Sequence, residues 1–231
     1  MNCRPRQLII SLAVFGTIVA CGTIPLKHYY EMNYLPSTHW TRLSPTPYPC
    51  TIRVADFGIE QAYNRPEIVY RQSPFQLQYY YYRVWAVKPD RMATDLIYHH
   101  VLMSGLVANV IRRYDQSPKP DYDLDGNIEA VEEYDSGELW FAHLALTINL
   151  TKISDGTSIY TRRFDLRKRV YQHTPEYVIR ELSSLMEYIM TQVIHDLDGK
   201  FAAAYNVSAL PADTASPAPG NGIAPSPREV K

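Results

Sequence analysis

Apolar and polar residues alternate along several stretches of this chain, and a period of two is typical of β-strands with one buried face. The clearest example is residues 138–152. Asp155 and Gly156 follow as a tight-turn signal, so that strand and residues 157–169 are predicted to form a hairpin. The predicted strands cover residues 28–34, 50–57, 67–71, 75–85, 122–134, 138–152 and 157–169.

Two other stretches repeat apolar residues every three or four positions, the period of an amphipathic α-helix. The first is predicted from Asp90, after Pro89, to about Tyr114. The second begins at Pro175 with Thr174 as its N-terminal cap. The order of strands, one helix, three strands and a second helix predicts an α+β fold. We expect a two-layer domain in which a mixed or antiparallel sheet packs against two long helices.

The start of the chain has the features of an export signal, because a positive segment precedes a short apolar core. Arg4 and Arg6 supply the charge, and residues 8–19 supply about a dozen mostly apolar positions, too few for a stable membrane-spanning helix. Residues 18–21 (IVAC) resemble the bacterial lipobox, in which the peptide is cleaved before a cysteine that becomes acylated. The alternative is an ordinary secretory signal in which Cys21 stands by chance.

Acylation of Cys21 predicts an anchored protein outside the cytoplasm, because two or more acyl chains hold a protein stably on a bilayer. Gly22 stands where an aspartate would favour the inner membrane, so we expect the periplasmic leaflet of the outer membrane. About six residues, Gly22 to Lys27, form a tether between Cys21 and the first predicted strand, and at ~3.3–3.6 Å per residue they span roughly 20 Å. The predicted organisation is a signal peptide at 1–20, a lipidated tether at 21–27, a folded domain at 28–205 and a disordered, proline- and alanine-rich tail at 206–231.

Charge and cysteine content narrow the classes of function. The net charge is −1, or −3 once Arg4 and Arg6 are removed, and no basic patch is present, so nucleic-acid binding is not expected. Cys50 is the one thiol left after cleavage and acylation of Cys21, which excludes a disulfide within the mature chain. We expect Cys50 to be a small buried residue at a strand start, with a reactive thiol as the alternative.

One motif resembles a calcium site. Residues 121–132 follow the spacing of an EF-hand loop, with aspartates at the first three ligand positions. Pro118 and Pro120 oppose the helix that precedes such a loop, and the same residues alternate as a strand with its carboxylates on one side. We therefore expect no metal site. The sequence also lacks a nucleophile motif, a phosphate-binding loop and a dinucleotide fingerprint, which predicts a protein that is not an enzyme and needs no cofactor.

Three short segments resemble the sequences of one known family. Residues 65–71 (RPEIVYR) match a segment of the form Arg-Pro-x-Ile-Val-Tyr-Arg. The pair Trp85-Ala86 stands where that family ends a strand before its first helix, and the alternating run 122–130 is also similar. These segments resemble the ABC-type transport auxiliary lipoprotein component family, in particular its paraquat-inducible protein C-like branch. The two residues after Trp85-Ala86 depart from the family, which often has an acidic residue and a proline there.

The resemblance implies a non-catalytic accessory of a lipid-transport system in the cell envelope. The implied partners are an ABC ATPase, a permease and a mammalian-cell-entry domain protein that forms a hydrophobic conduit. Self-association into a homo-oligomer is a further expectation, and the acyl anchor at Cys21 makes the contact with the outer membrane. The alternative function is a structural or chaperone lipoprotein that holds an outer-membrane barrel or an envelope assembly.

The candidate partner face lies on the predicted strands at 67–71 and 75–85. Its members are Tyr70, Arg71, Tyr80, Tyr82 and Trp85. Tyrosine is amphipathic and suits a surface that is partly apolar and partly wet, such as a binding face. Ordinary packing within the sheet is the alternative explanation for the same residues.

Overall fold

The structure, a computed structural model, describes residues 25–37, 40–114 and 117–206. Outside the described residues lie the predicted signal peptide at 1–20, the lipidation site Cys21, tether residues 22–24 and residues 207–231 of the predicted tail. These regions remain predictions from the sequence. Neither helix in the described part combines the length and the apolar composition that a bilayer-spanning segment requires.

Within these ranges the chain forms nine strands and two helices, which confirms the predicted α+β fold. The strands are β1 (His28–Tyr30), β2 (Tyr48–Val54), β3 (Gly58–Ile59), β4 (Glu67–Ser73), β5 (Gln76–Trp85), β6 (Val107–Ile111), β7 (Tyr122–Asp135), β8 (Trp140–Lys152) and β9 (Ser158–Val170). The helices are α1 (Pro89–Ser104) and α2 (Pro175–Ala204). All nine strands belong to one mixed sheet.

The long strand β7 organises the sheet. One edge of β7 pairs antiparallel with β8 along its whole length, and β8 pairs antiparallel with β9, which confirms the predicted hairpin. The other edge of β7 pairs in succession with β2, β3 and β4, all parallel to it. The sheet continues beyond two of these strands: β6 pairs with β2, β5 pairs with β4, and β1 pairs with β5.

The hydrophobic core lies between the helices and one face of the sheet. On β8 the alternating residues on this face are fully buried; they are Ala142, Leu144, Leu146, Ile148 and Leu150. The buried stripe of α2 recurs every three or four positions and includes Leu182, Ile189, Val193 and Leu197. Burial of apolar area, at roughly 25 cal/mol per Å², makes this layer the main source of folding free energy. The sheet face away from the helices is called the open face below.

The prediction of a first helix reaching Tyr114 is wrong beyond Ser104, where α1 ends. Gly105 follows with φ 60° and ψ 23°, a left-handed conformation that glycine adopts without the steric cost of a Cβ atom. The chain then enters β6, which pairs parallel with β2. The apolar spacing of β6 also fits a helix, but its β-branched residues favour a strand. Four strands rather than three therefore follow α1.

The predicted first strand at 28–34 is confirmed only at its start, because β1 ends after three residues. Met32 then turns into the core, where it is 2 % exposed. Its backbone N–H donates to the sulfur of Met92 in α1 at 3.1 Å. The next N–H, that of Asn33, donates to the hydroxyl of Ser183 in α2 at 3.1 Å. The segment after β1 thus leaves the sheet edge and crosses the two helices.

Candidate functional site

The predicted partner face falls on β4 and β5, which form an antiparallel hairpin. Tyr70 and Tyr80 lie together on it, with ring centroids 4.5 Å apart. Tyr70 donates a hydrogen bond to the side-chain oxygen of Gln78, and the hydroxyl of Tyr80 donates to Oε1 of Glu133 on β7 at 3.0 Å. Both tyrosines are only partly exposed, so their hydroxyl groups serve contacts within the domain.

Arg71 binds a buried carboxylate. Its Nε lies 2.9 Å from Oε1 and 3.1 Å from Oε2 of Glu132, a residue that is 1 % exposed. Tyr63 donates to Oε2 of the same carboxylate at 2.7 Å and accepts a hydrogen bond from Nη2 of Arg71 at 3.1 Å. Burial alone would raise the pKa of Glu132, but hydrogen bonds from His143, Arg71 and Tyr63 outweigh it and lower that pKa.

The other two members of the predicted face differ in exposure. Trp85 is 3 % exposed and belongs to the core, so its ring offers no surface to a partner in this structure. Tyr82 is 37 % exposed and makes an edge contact with Tyr81, with ring centroids 4.8 Å apart. The hairpin thus brings Tyr70, Tyr80 and Arg71 into internal contacts and leaves Tyr82 as the exposed member of the predicted set.

A network of charges crosses the open face from β4 to β9. His143 on β8 stands opposite Glu132 on β7, with Nδ1 2.9 Å from Oε1 of that glutamate. Nε2 of the same ring lies 3.0 Å from Oδ1 of Asp165 on β9. The two ring nitrogens of His143 thus bridge the carboxylates of Glu132 and Asp165. The hydrogen bond from His143 is the main cause that lowers the pKa of Asp165.

The network lines a depression of about 420 Å³ on the open face. Arg163 closes one side of it and donates to Oε2 of Glu129 at 2.7 Å and to Oδ2 of Asp165 at 2.9 Å. The three carboxylates of the depression, those of Glu129, Glu132 and Asp165, are therefore each paired with an arginine. Such mutual pairing links adjacent strands and is consistent with a structural role for these residues of the open face.

Glu133 points to the other side of β7 from Glu132, because successive residues of a strand face opposite ways. It is 1 % exposed, and its Oε2 has no hydrogen-bond partner among the described residues. Burial raises the pKa of Glu133 to about 7; Asp135 adds to the rise, whereas the Tyr80 hydrogen bond and Arg83 oppose it. A carboxyl group that titrates near neutral pH thus lies beneath Tyr80 of the hairpin.

Glu133→Gln is expected to raise the free energy of unfolding at pH 8 by about 1–3 kcal/mol, and by clearly less at pH 5. The folded state holds the proton of Glu133 more tightly than an unfolded chain does, since its pKa is about 7 against an ordinary value of 4.5. The buried charge therefore costs increasing stability as the pH rises between these two values, and glutamine removes that cost. Urea unfolding at both pH values measures the difference.

The matched control for this variant is Glu138→Gln, which changes an exposed glutamate in the turn after β7. This control should leave the dependence of stability on pH as it is in the wild type. A gain for Glu133→Gln that is equal at pH 5 and pH 8, or no gain at either, would show that the carboxyl group is not held neutral by burial.

The calcium-like motif forms the first part of β7. Asp123 is paired with Arg53, whose Nε lies 2.7 Å from Oδ1, while Asp125 accepts a hydrogen bond from the side-chain amide of Asn149 at 3.1 Å. The carboxylates are thus spread along an extended strand and bonded to separate partners, as the alternating pattern predicts. Over the described ranges, no three potential ligands are grouped so that they could hold a metal ion.

Cys50 lies within β2 and is 3 % exposed, which confirms the prediction of a small buried residue near a strand start. Burial raises the pKa of its thiol to about 11. The thiolate is the nucleophilic form of cysteine, and it is scarce at neutral pH when the pKa is this high. The alternative of a reactive thiol at Cys50 is therefore not supported.

A comparison with family models decides the identity of the chain. Residues 35–194, which include every strand except β1, all of α1 and most of α2, match the model of the ABC-type transport auxiliary lipoprotein component family. The chain belongs to that family. No curated protein matches this auxiliary lipoprotein.

Two solved structures share the fold of this auxiliary lipoprotein. One is a DUF330 family protein from Xanthomonas campestris, which is 20 % identical with a TM-score of 0.63 and aligns over 80 % of this chain and 99 % of its own. The other, described as an uncharacterized protein, is 13 % identical with a TM-score of 0.59 and aligns over 75 % of this chain and 99 % of its own. At such identities the likeness is one of fold, and function is argued from the family and from the residues.

Proposed function

We propose that this lipoprotein is a non-catalytic docking component of an ABC-type system that moves lipid between membranes through a mammalian-cell-entry domain conduit. The family match over residues 35–194 carries the proposal, because the family is one of auxiliary components of ABC transport. In such a system the ATPase and the permease supply the energy, and an accessory acts by binding. The paired carboxylates of the open face are consistent with this role.

The sequence before β1 supports a position at the periplasmic surface of the outer membrane. Cys21 follows a small residue at the predicted cleavage point, and no aspartate follows it. Pro25 is the first described residue, and the four Cα-to-Cα steps from Cys21 to Pro25 span at most about 14 Å. The domain is thereby held close to its membrane, where a conduit that arrives from the inner membrane can meet it.

The exposed part of the β4–β5 hairpin is the surface proposed to bind the conduit protein. Tyr82 presents an amphipathic ring there, Tyr70 and Tyr80 pack against each other, and the hydroxyl of Tyr80 ties the hairpin to Glu133 of β7. Tyrosine is enriched in protein interfaces because it combines a large apolar area with a polar group. A homo-oligomer of the lipoprotein would repeat this contact around one conduit and strengthen it through multivalency.

Site-specific photo-crosslinking in cells tests the partner. A photoreactive phenylalanine analogue replaces Tyr82, and the matched control carries it at Tyr188, which is 54 % exposed on α2. The proposal expects adducts with the mammalian-cell-entry protein at position 82 and few at position 188. Adducts with an outer-membrane barrel alone would favour the structural or chaperone alternative, and they would contradict the transport role.

Cys21→Ala is expected to abolish function without affecting the fold, because the anchor lies outside the core. The variant, exported behind a general secretory signal in place of residues 1–20, should leave the membrane fraction, reduce lipid transport to the level of a deletion strain, and keep the thermal unfolding temperature of the mature domain. Fractionation, a transport assay and calorimetry measure the three effects. Full transport by the soluble, unlipidated protein would remove the argument for docking at a membrane.

A further inference from the structure

The way in which the chain enters the sheet orients the domain relative to its anchor. β1 pairs parallel with β5, with His28 opposite Arg83 and Tyr30 opposite Trp85. The chain upstream of β1 therefore comes from the same end of the sheet as the upstream part of β5. That end is the turn of the β4–β5 hairpin, where Phe75 stands.

The lengths of the two segments limit how far the anchor can extend past the hairpin tip. Cys21 is seven residues before His28, and Phe75 is eight residues before Arg83, the residue that pairs with His28. Cys21 can therefore reach at most about 25 Å beyond His28, whereas Phe75 lies about 27 Å upstream of Arg83 at ~3.4 Å per residue. The hairpin tip thus extends at least as far towards this end of the sheet as Cys21 can.

The chemistry of the tip suits the interface of a bilayer. Phe75 is 98 % exposed, and the turn around it, Ser73-Pro74-Phe75-Gln76, carries no charge. A phenylalanine side chain gains free energy from leaving water.

We propose that the β4–β5 turn is a second membrane contact, in which Phe75 enters the bilayer interface near the acyl anchor. This inference rests on the proposed acylation of Cys21. A single tether leaves the domain free to rotate about its anchor, whereas a tether and a side chain together fix its orientation. The contact would hold the β4–β5 hairpin beside the membrane and present Tyr82 in a constant direction to the conduit.

Fluorescence of a site-specific label tests the contact in the mature, lipidated protein reconstituted into vesicles of phosphatidylethanolamine and phosphatidylglycerol. A nitrobenzoxadiazole fluorophore is attached at Phe75→Cys and, as the matched control, at Ile153→Cys. Ile153 is 38 % exposed in the turn between β8 and β9, at the opposite end of the sheet. Cys50 does not compete for the label, because it is buried and its thiol pKa is raised to about 11.

Lipids that carry a quenching doxyl group in the upper acyl chain report depth. The proposal expects a blue-shifted emission at position 75 and a loss of emission several-fold larger than at position 153. Equal quenching at both positions would overturn the proposal. So would a label at position 75 whose emission matches that of the same label in the soluble Cys21→Ala variant, where it is exposed to water. A blue shift at 75 that depends on protein density and not on doxyl lipid would assign the tip to a second copy of the chain and would also overturn it.

The intact mass of the same samples separates this inference from the proposed function. If the mass shows an acylated Cys21 while the label at position 75 is not quenched, the second contact is contradicted but the acyl anchor is not. A Cys21 without acyl chains contradicts the anchor itself, on which the proposed function depends.

Discussion

Leu182→Asp is expected to destabilise the domain by about 4 kcal/mol or more, a large part of the net stability of a single domain. Leu182 is 0 % exposed on α2 and belongs to the stripe that packs against the sheet. An aspartate there leaves a cavity and, at neutral pH, an unpaired charge in an apolar layer. Because the layer is apolar, the protein can avoid this buried charge only if the aspartate takes up a proton or the helix around it unfolds.

Chemical denaturation of the mature domain, followed by circular dichroism, measures this loss. Tyr188→Asp is the matched control, since Tyr188 is on the same helix but is 54 % exposed. The control should change the free energy of unfolding by less than about 1 kcal/mol, as surface substitutions usually do. A similar small change for Leu182→Asp would mean that α2 is not packed against the sheet as the structure describes.

Gly126→Ala is expected to destabilise the domain by about 3 kcal/mol, because β7 and β8 approach too closely at this point to admit a Cβ atom. A Cβ built on Gly126 would lie 2.1 Å from the backbone oxygen of Thr147 and 2.5 Å from Cε1 of Phe57. The Thr147 oxygen is fixed by its strand and cannot move without breaking the β7–β8 ladder. The Phe57 ring is 4 % exposed in the core and has little room to turn away.

Gly199→Ala is the control for this second substitution. Gly199 lies in α2, and a Cβ atom added there would meet nothing within 4 Å. Alanine in a helix interior is favoured over glycine, so this variant should be more stable than the wild type by about 0.5–1 kcal/mol. Thermal unfolding of both variants gives opposite shifts if the two glycines differ as described, and equal shifts would contradict the close approach at Gly126.

The alternating patterns predicted most of the sheet, because the strands that show them have one face buried in the hydrophobic core. β8 and β9 could be placed from sequence alone, since Asp155-Gly156 specifies a tight turn between two period-two stretches. β6 could not, because its apolar spacing extends the helical pattern of α1, and Gly105 was the one local signal of the boundary. β1 was overestimated because Met32 satisfies the alternation while leaving the sheet for the core.

The candidate site was less accessible to sequence reasoning. The pairing of Glu132 with His143 follows from the register of β7 with β8, whereas the predicted hairpin joins β8 to β9, so no sequence pattern indicated this contact. The contacts of Arg71 with Glu132 join β4 to β7 across a long stretch of chain, and no local pattern specifies that pairing. Trp85 carried a family motif and an aromatic side chain, but only the packing of the domain shows that its ring is covered.

The most direct test of the account is mass spectrometry of the N-terminal peptide of the mature protein, isolated separately from the outer-membrane and periplasmic fractions of cells. The account predicts a chain that begins at Cys21 and carries acyl chains on both its thiol and its amine. A chain that begins elsewhere, or an unmodified Cys21 on a protein recovered free in the periplasm, would contradict it.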